Sequence, residues 1–305
     1  MKIAISGIGG LGGFFGGLLA KHYQHANDVE IVFLSRGENE KAIRRNGLQV
    51  LTVNGNFTAF PKMITSDASL IGKVDLLICC TKRYDLAENM IECSPCVNEN
   101  TIILPLLNGV DSRELISAIF PNNLVLDGCV YLVARLTEPG IVMETGNISK
   151  LFFGLQTNSE PRLKLFLEIF KEAGIEATLS ENIQQIIWEK FSFISPIATL
   201  TSFLDCSIGD IVADVDKKML LGQLLSELKS IADQKGILLP ENIYQITIDR
   251  MAALPKDSTS SMHSDFKKGK PTELESLTGY ILKEAEVYKI AVPTYTEIFN
   301  SLQNR

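Results

Sequence analysis

The 305-residue chain has little of what several large function classes need. Its three histidines, His22, His25 and His263, give poor support to a histidine-dependent catalytic triad. Six cysteines in a chain this long do not make a disulfide framework. Cys79 and Cys80 sit in the apolar run VDLLICC and read as small core residues. Cys93-Ser-Pro-Cys96 has CxxC spacing, but no second such pair or histidine cluster accompanies it, so neither metal nor redox chemistry is expected there. Positive charge is not in excess: 29 Lys and Arg against 36 Asp and Glu give a net charge of -7, which argues against a general nucleic-acid surface. After the first twenty residues no run is long and apolar enough to span a membrane, and a cytoplasmic setting is expected. Repeats and low-complexity linkers are also missing, so any boundary between domains should be tight.

What is present is an ordinary globular composition, 46% hydrophobic and 21% charged, with a length that suggests two domains. Glycine is concentrated at the start, MKIAISGIGGLGGFFGGLLAK. Residues 3–20 carry no charge and mimic a membrane span or signal peptide, but Gly7, Gly9, Gly10, Gly12, Gly13, Gly16 and Gly17 lower both hydrophobicity and helix propensity. The order is an apolar strand, a GxGxxG turn and an apolar face at helical spacing. Such a turn lets backbone approach a pyrophosphate and aims a helix N-terminus at it. Gly7, Ile8, Gly9, Gly10, Leu11 and Gly12 are therefore the candidate cofactor cradle.

Residues 29–34 read as a second strand, ending in Ser35-Arg36 where NAD sites usually place a carboxylate. An arginine there suits the 2′-phosphate of NADP, the alternative being a surface arginine at a strand end. Residues 48–53 and 57–60 flank Asn54-Gly55, a hairpin signal, and further strands at 74–80 and 101–106 run into Thr81-Lys82 and Leu107-Asn108. Helical patterns at 86–91 and 112–120 separate several strands, so a parallel, helix-covered sheet is expected, with ligands beyond its carboxyl ends. Residues 124–154 should complete that sheet, followed by a helix at 161–173 and a short link or edge strand at 174–179. Helices are then expected near 181–203, 216–235, 240–254, 258–268, 272–289 and 293–303. The fold class is α/β: a Rossmann-type dinucleotide-binding domain over 1–178 and an all-helical domain over 179–305.

Two ionisable residues in the helical half stand out. Lys190 falls within the stripe Ile183, Ile186, Ile187, Phe191 and Ile194. Either it snorkels to water along apolar surface, or its ammonium faces an interdomain cleft where it can do acid–base work. Thr272-Glu-Leu-Glu275 fits a capping box, which occupies Glu275 and leaves Glu273 as a first-turn acid or a functional carboxylate.

Taken together, GIGGLGG, Ser35-Arg36, Thr81-Lys82, Leu107-Asn108-Gly109, Trp188-Glu-Lys190, Ser260-Ser-Met-His-Ser-Asp265, Thr272-Glu273-Leu and Ile290-Ala-Val-Pro293 resemble the ketopantoate reductase (2-dehydropantoate 2-reductase) family along nearly the full length. The resemblance implies NADPH-dependent reduction of ketopantoate to pantoate, for pantothenate and coenzyme A synthesis. It implies that Arg36 and Lys82 hold the 2′-phosphate region and that Asn108 lies between cofactor and substrate. Lys190 would be the general acid, Glu273 its partner and a substrate anchor, and Ser261 a substrate ligand. The family's asparagines four and eight residues after the lysine, and three before the serine, are here Ile194, Ala198 and Ser258. Another 2-oxo acid or carbonyl substrate, or a non-catalytic NADPH-binding regulator, is the alternative. The resemblance calls for no metal. The helical half has apolar face enough for a homodimer, with no stretch marking its interface.

Overall fold

In the parallel sheet at the start of the chain, the strands inside one short edge strand are mainly apolar runs buried on both faces, the pattern such sheets demand. The computed structural model describes residues 1–146 and 148–304; Asn147, within the stretch read as strands, and Arg305 lie outside the described residues. β1 (Lys2–Ser6) pairs in parallel with β2 (Glu30–Leu34) and with β6 (Leu76–Cys79). β5 (Met63–Thr65) and β7 (Ile102–Pro105) complete the order β5-β2-β1-β6-β7. Alternation sends Ile3 and Ile5 to one face and Ala4 to the other, where Leu77 and Ile103 join Met90 of α3 (Leu86–Cys93) and Ile116 of α4 (Ser112–Ile119). The chain runs outward to β5 and then returns beyond β1 to β6. The topological switch point therefore lies at the carboxyl ends of β1 and β6.

Residues 124–154 do not simply extend this sheet, which corrects the expectation from sequence. β9 (Ala134–Glu138) and β10 (Ile141–Glu144) instead join the hairpin β3 (Leu48–Leu51) and β4 (Phe57–Ala59) in a second sheet, β4-β3-β10-β9. β8 (Asp127–Tyr131), β11 (Lys150–Gly154) and β12 (Glu176–Leu179) form a third, joined to β7 by a bridge between Ile103 and Val125. The cause is α1 (Gly10–His22), which the second sheet covers. An added Cβ would lie 2.5 Å from Val142 at Gly13 and 2.8 Å from Val50 at Gly17, and 3.1 Å from Phe33 of the first sheet at Gly16. Where this helix meets the sheets at these positions there is no room for a side chain, and Gly13, Gly16 and Gly17 supply that thinness while Phe14, Phe15 and Leu19 fill the core beside them.

α2 (Gly37–Asn46) and α5 (Arg162–Glu172) complete this first unit, which comprises Met1–Leu107 and Asp111–Ile183. The second unit, Asn108–Val110 with Gln184–Arg305, is helical. It contains α6 (Ile183–Leu204, whose first residue falls in the first unit), α7 (Ile208–Ala213), α8 (Val215–Gln234), α9 (Ile243–Ala252), α10 (Ser261–Lys267), α11 (Tyr280–Tyr288) and α12 (Pro293–Gln303). α7, closed by a capping box of Ser207 and Asp210, was not expected from the apolar pattern. α6 continues through Pro196 without a break. Trp188, 1% exposed, packs edge-on against Phe191 at 5.6 Å and Tyr280 at 6.2 Å and locks the rotation of α6. None of the described helices is long and apolar enough to cross a membrane.

Candidate functional site

The glycine turn leaves β1 with Gly7 at φ +87°, where a Cβ would lie 2.7 Å from the Thr81 amide nitrogen. A Cβ on Gly12 would collide with the Gly7 carbonyl, so the first turn of α1 presses onto the end of β1. Gly9 is the opposite case: nothing lies within 4 Å of its Cβ position. The cradle is closed where chain meets chain and open where a ligand would come. Gly9 caps α1 without a side-chain bond, and the first turn carries no acid to occupy its amides. These residues fit a pyrophosphate. Ile8 is buried at 4% exposure, so only its backbone is offered to a ligand, while Leu11 is partly exposed and packs in part against the same core.

Asn39, which pattern reading passed over, braces this turn. Its Nδ2 donates to the Ile8 carbonyl at 2.9 Å and to Ser35 Oγ at 3.0 Å, while its Oδ1 accepts from the Gly140 amide at 2.8 Å. One amide thus ties the glycine turn to the end of β2 and to the β9–β10 turn. The only available signal was an asparagine in the first turn of α2, and its partners are distant in sequence. Arg36 precedes α2, 63% exposed, with a 3.4 Å contact to Glu92 across the surface. Such a pair contributes little, so the guanidinium can be recruited by an anion. Lys82 follows β6, next to the Thr81 backbone that Gly7 touches. Beside it, Arg83 makes a two-pronged pair with Asp111, at 3.0 and 2.6 Å.

In the helical unit, Lys190 Nζ donates to Asn108 Oδ1 at 3.0 Å. Two residues on a helix are about 200° apart, so the buried Trp188 turns Lys190 away from the core of its own unit. Glu273 is buried at 3% exposure. A π-turn, Glu275–Gly279, begins two residues later. Such irregular turns recur at functional sites. Its backbone is held by α6: Ser195 Oγ donates to the Leu277 carbonyl at 2.7 Å and meets Tyr295 Oη at 2.8 Å, and Thr199 Oγ1 meets Thr278 Oγ1 at 2.8 Å. Burial pushes the Tyr295 phenol well above its ordinary range. Thr272 and Glu275 form no capping box; Glu275 accepts instead from Gln303 at 3.3 Å, because the π-turn takes the place of an ordinary first turn. Ser261 is exposed at the start of α10, and its hydroxyl has no hydrogen-bond partner among the described residues. Lys190 and Asn108 are thus brought together by a direct bond, whereas Ser261 is not bonded to them.

The cysteines are all free thiols, and the described residues hold no group of three or more potential metal ligands. Burial pushes Cys93 up to about 12 and Cys96 up to about 11, so neither is a ready thiolate. The CxxC spacing reflects packing under β6.

A parallel sheet with an open glycine cradle at its switch point, and a lysine held by an asparagine in a helical unit, define a nicotinamide-dinucleotide oxidoreductase. The family follows from comparison. Residues 3–157 match the model of ketopantoate reductase PanE/ApbA and residues 182–305 that of its C-terminal domain, and the chain belongs to this family. An uncharacterized oxidoreductase of Bacillus subtilis, YkpB, is 27% identical over 99% of this chain and 98% of its own. The 2-dehydropantoate 2-reductase of Halobacterium salinarum is 26% identical over 96% and 95%. The crystal structure of 2-dehydropantoate 2-reductase from Porphyromonas gingivalis superposes with a TM-score of 0.85 at 32% identity, covering 99% of both chains.

Proposed function

We propose that the chain is an NADPH-dependent 2-dehydropantoate 2-reductase, with Lys190 as general acid. The observation that carries this reading is the Lys190–Asn108 hydrogen bond, because a carbonyl reduction needs a positioned proton donor and this pair provides one. Bound NADPH supplies a hydride to the carbonyl carbon. The carbonyl oxygen then becomes an alkoxide, which needs a nearby positive charge and a proton. The Lys190 ammonium supplies both. Asn108 accepts one N–H bond from this ammonium and so orients it. Glu273 is the carboxylate partner in this scheme, and Ser261, with its exposed hydroxyl, is the substrate ligand. The backbone from Gly7 to Gly12 holds the pyrophosphate, with Arg36 and Lys82 on the 2′-phosphate side. The two units, which meet in sequence between Ile183 and Gln184 rather than at the expected residue 178, would divide the task into cofactor binding and proton donation.

A second reading keeps the chemistry and changes the substrate. Ile194 and Ala198 follow Lys190 at helical spacing, and the hydroxyls nearby on α6 are committed to the fold: Ser192 to the Glu189 carbonyl at 2.9 Å, Ser195 and Thr199 to the π-turn. Little on α6 is left to bind a polar substrate tail. NADPH oxidation measured with ketopantoate against a panel of 2-oxo acids separates the two. Fastest turnover of ketopantoate supports the first reading. Weak turnover beside strong turnover of another acid replaces it, and no turnover of any carbonyl together with tight NADPH binding leaves a binding protein.

A further inference from the structure

Among the described residues, one carboxylate oxygen is buried without a hydrogen-bond partner: Oε1 of Glu144, a side chain 5% exposed. An ionised carboxylate left so is costly, and a fold that keeps one has a use for it. Its position indicates the use. Along β10, Val142 and Glu144 are buried while Ile141 and Met143 are partly exposed, so Val142 and Glu144 share one face of the strand. Val142 shows where that face looks, since it meets Gly13 of α1. Glu144 is one strand repeat further on and pairs in register with Ala134, whose carbonyl meets the Cβ position of Gly10, the first residue of α1. The unpartnered oxygen is therefore beside the cradle, at the end of α1 where the pyrophosphate is expected. It lies 3.6 Å from the Cβ position of Gly146.

A carboxylate accepts hydrogen bonds and repels phosphate, so its partner in a dinucleotide must be a donor. The other end of β10 limits the choice. The Gly140 amide donates to Asn39 Oδ1, and a Cβ on Gly140 would lie 3.1 Å from Ala42, both residues of the helix that follows Arg36. That end belongs with the adenosine and its 2′-phosphate. Glu144 is four residues away, about 13 Å along an extended strand. We propose that Glu144 is a cofactor ligand that accepts a hydrogen bond from the nicotinamide nucleoside half of the dinucleotide, from a ribose hydroxyl or the carboxamide N–H. This rests on the reading that NADPH binds at the glycine turn.

The experiment is calorimetric titration of NADPH and of 2′,5′-ADP, which lacks the nicotinamide nucleoside, into the wild type, Glu144→Gln and Glu144→Ala. A charged acceptor predicts that Glu144→Ala binds NADPH about tenfold to a hundredfold more weakly while 2′,5′-ADP affinity is unchanged. Glu144→Gln, which keeps an acceptor, falls between. Melting temperatures are expected to hold or rise, since the variants remove a buried carboxyl oxygen that has no hydrogen-bond partner. Repeating the titration with 3-acetylpyridine adenine dinucleotide phosphate assigns the donor: a persisting loss points to the ribose, a vanished one to the carboxamide. Wild-type-like NADPH binding in both variants, or equal losses for NADPH and 2′,5′-ADP, overturns the proposal. Wild type that binds neither ligand overturns instead the reading beneath it.

Discussion

α1 and α6 each open one unit of the molecule, and they use side chains in opposite ways. α1 has almost none at its start: its glycines let two sheets come close and leave the backbone at Gly9 open. α6 is rich in side chains, yet nearly every polar one is spent on the fold, with Ser192, Ser195, Thr199 and Thr201 all hydrogen-bonded inside the helical unit. Lys190 instead reaches Asn108, at 3.0 Å. In the proposed reading, a cofactor common to many enzymes would be held by backbone, which any sequence with the right glycines can present, whereas proton transfer would depend on one side chain at one rotation of one helix.

That contrast can be broken most sharply at Lys190. Lys190→Ala is expected to lower turnover by about two to four orders of magnitude, the scale of a general acid, while NADPH affinity stays within about twofold of wild type. Stopped-flow reduction and a binding titration check both halves, and near-normal turnover would remove the mechanism. The next effect is structural and belongs to α1. Gly12→Ala places a methyl against the Gly7 carbonyl and should cost about 1–3 kcal/mol of stability or more, whereas Gly9→Ala, in open space, should melt like the wild type and lose cofactor affinity instead. Thermal melts paired with NADPH titrations separate these. If Gly9→Ala binds NADPH normally, the open side of the cradle is not where the ligand lies. The smallest effect is at Arg36. Arg36→Ala should raise the KM for NADPH about tenfold, leave that for NADH unchanged and leave the melting temperature unmoved, because its pairing with Glu92 is exposed. Equal losses for both cofactors would reject a 2′-phosphate role.

Much of the molecule was legible because its elements are set by local pattern. β1, β2, β6 and β7 are apolar runs that lie where the pattern placed strands, with β1 on Lys2–Ser6, whereas the three-residue edge strand β5 was not expected. Non-local choices were not legible. Nothing in residues 124–154 announces that β9 and β10 leave the first sheet to cover α1, because strand pairing depends on what each face must bury. Asn39 was unreadable for the same reason, as its role comes from Ile8 and Gly140. The capping box at Thr272 was a local inference overruled by tertiary contacts: α6 hydroxyls hold the Leu277 and Thr278 positions of a π-turn, and Glu275 turns to Gln303.

By itself the sequence pointed to the class of cofactor, since a glycine turn after an apolar strand carries its meaning within a few neighbouring residues, and the order of its motifs along the whole chain pointed to the class of chemistry. The tertiary structure decided which of those residues can act. It bonded the Ser192, Ser195, Thr199 and Thr201 hydroxyls of α6 into the fold, turned Lys190 to Asn108, and buried Glu144 beside the first turn of α1 with an oxygen still to be satisfied. The physical reason is that a polar group's availability depends on what else the fold has already bonded to it, and those partners come from elements far apart in the chain.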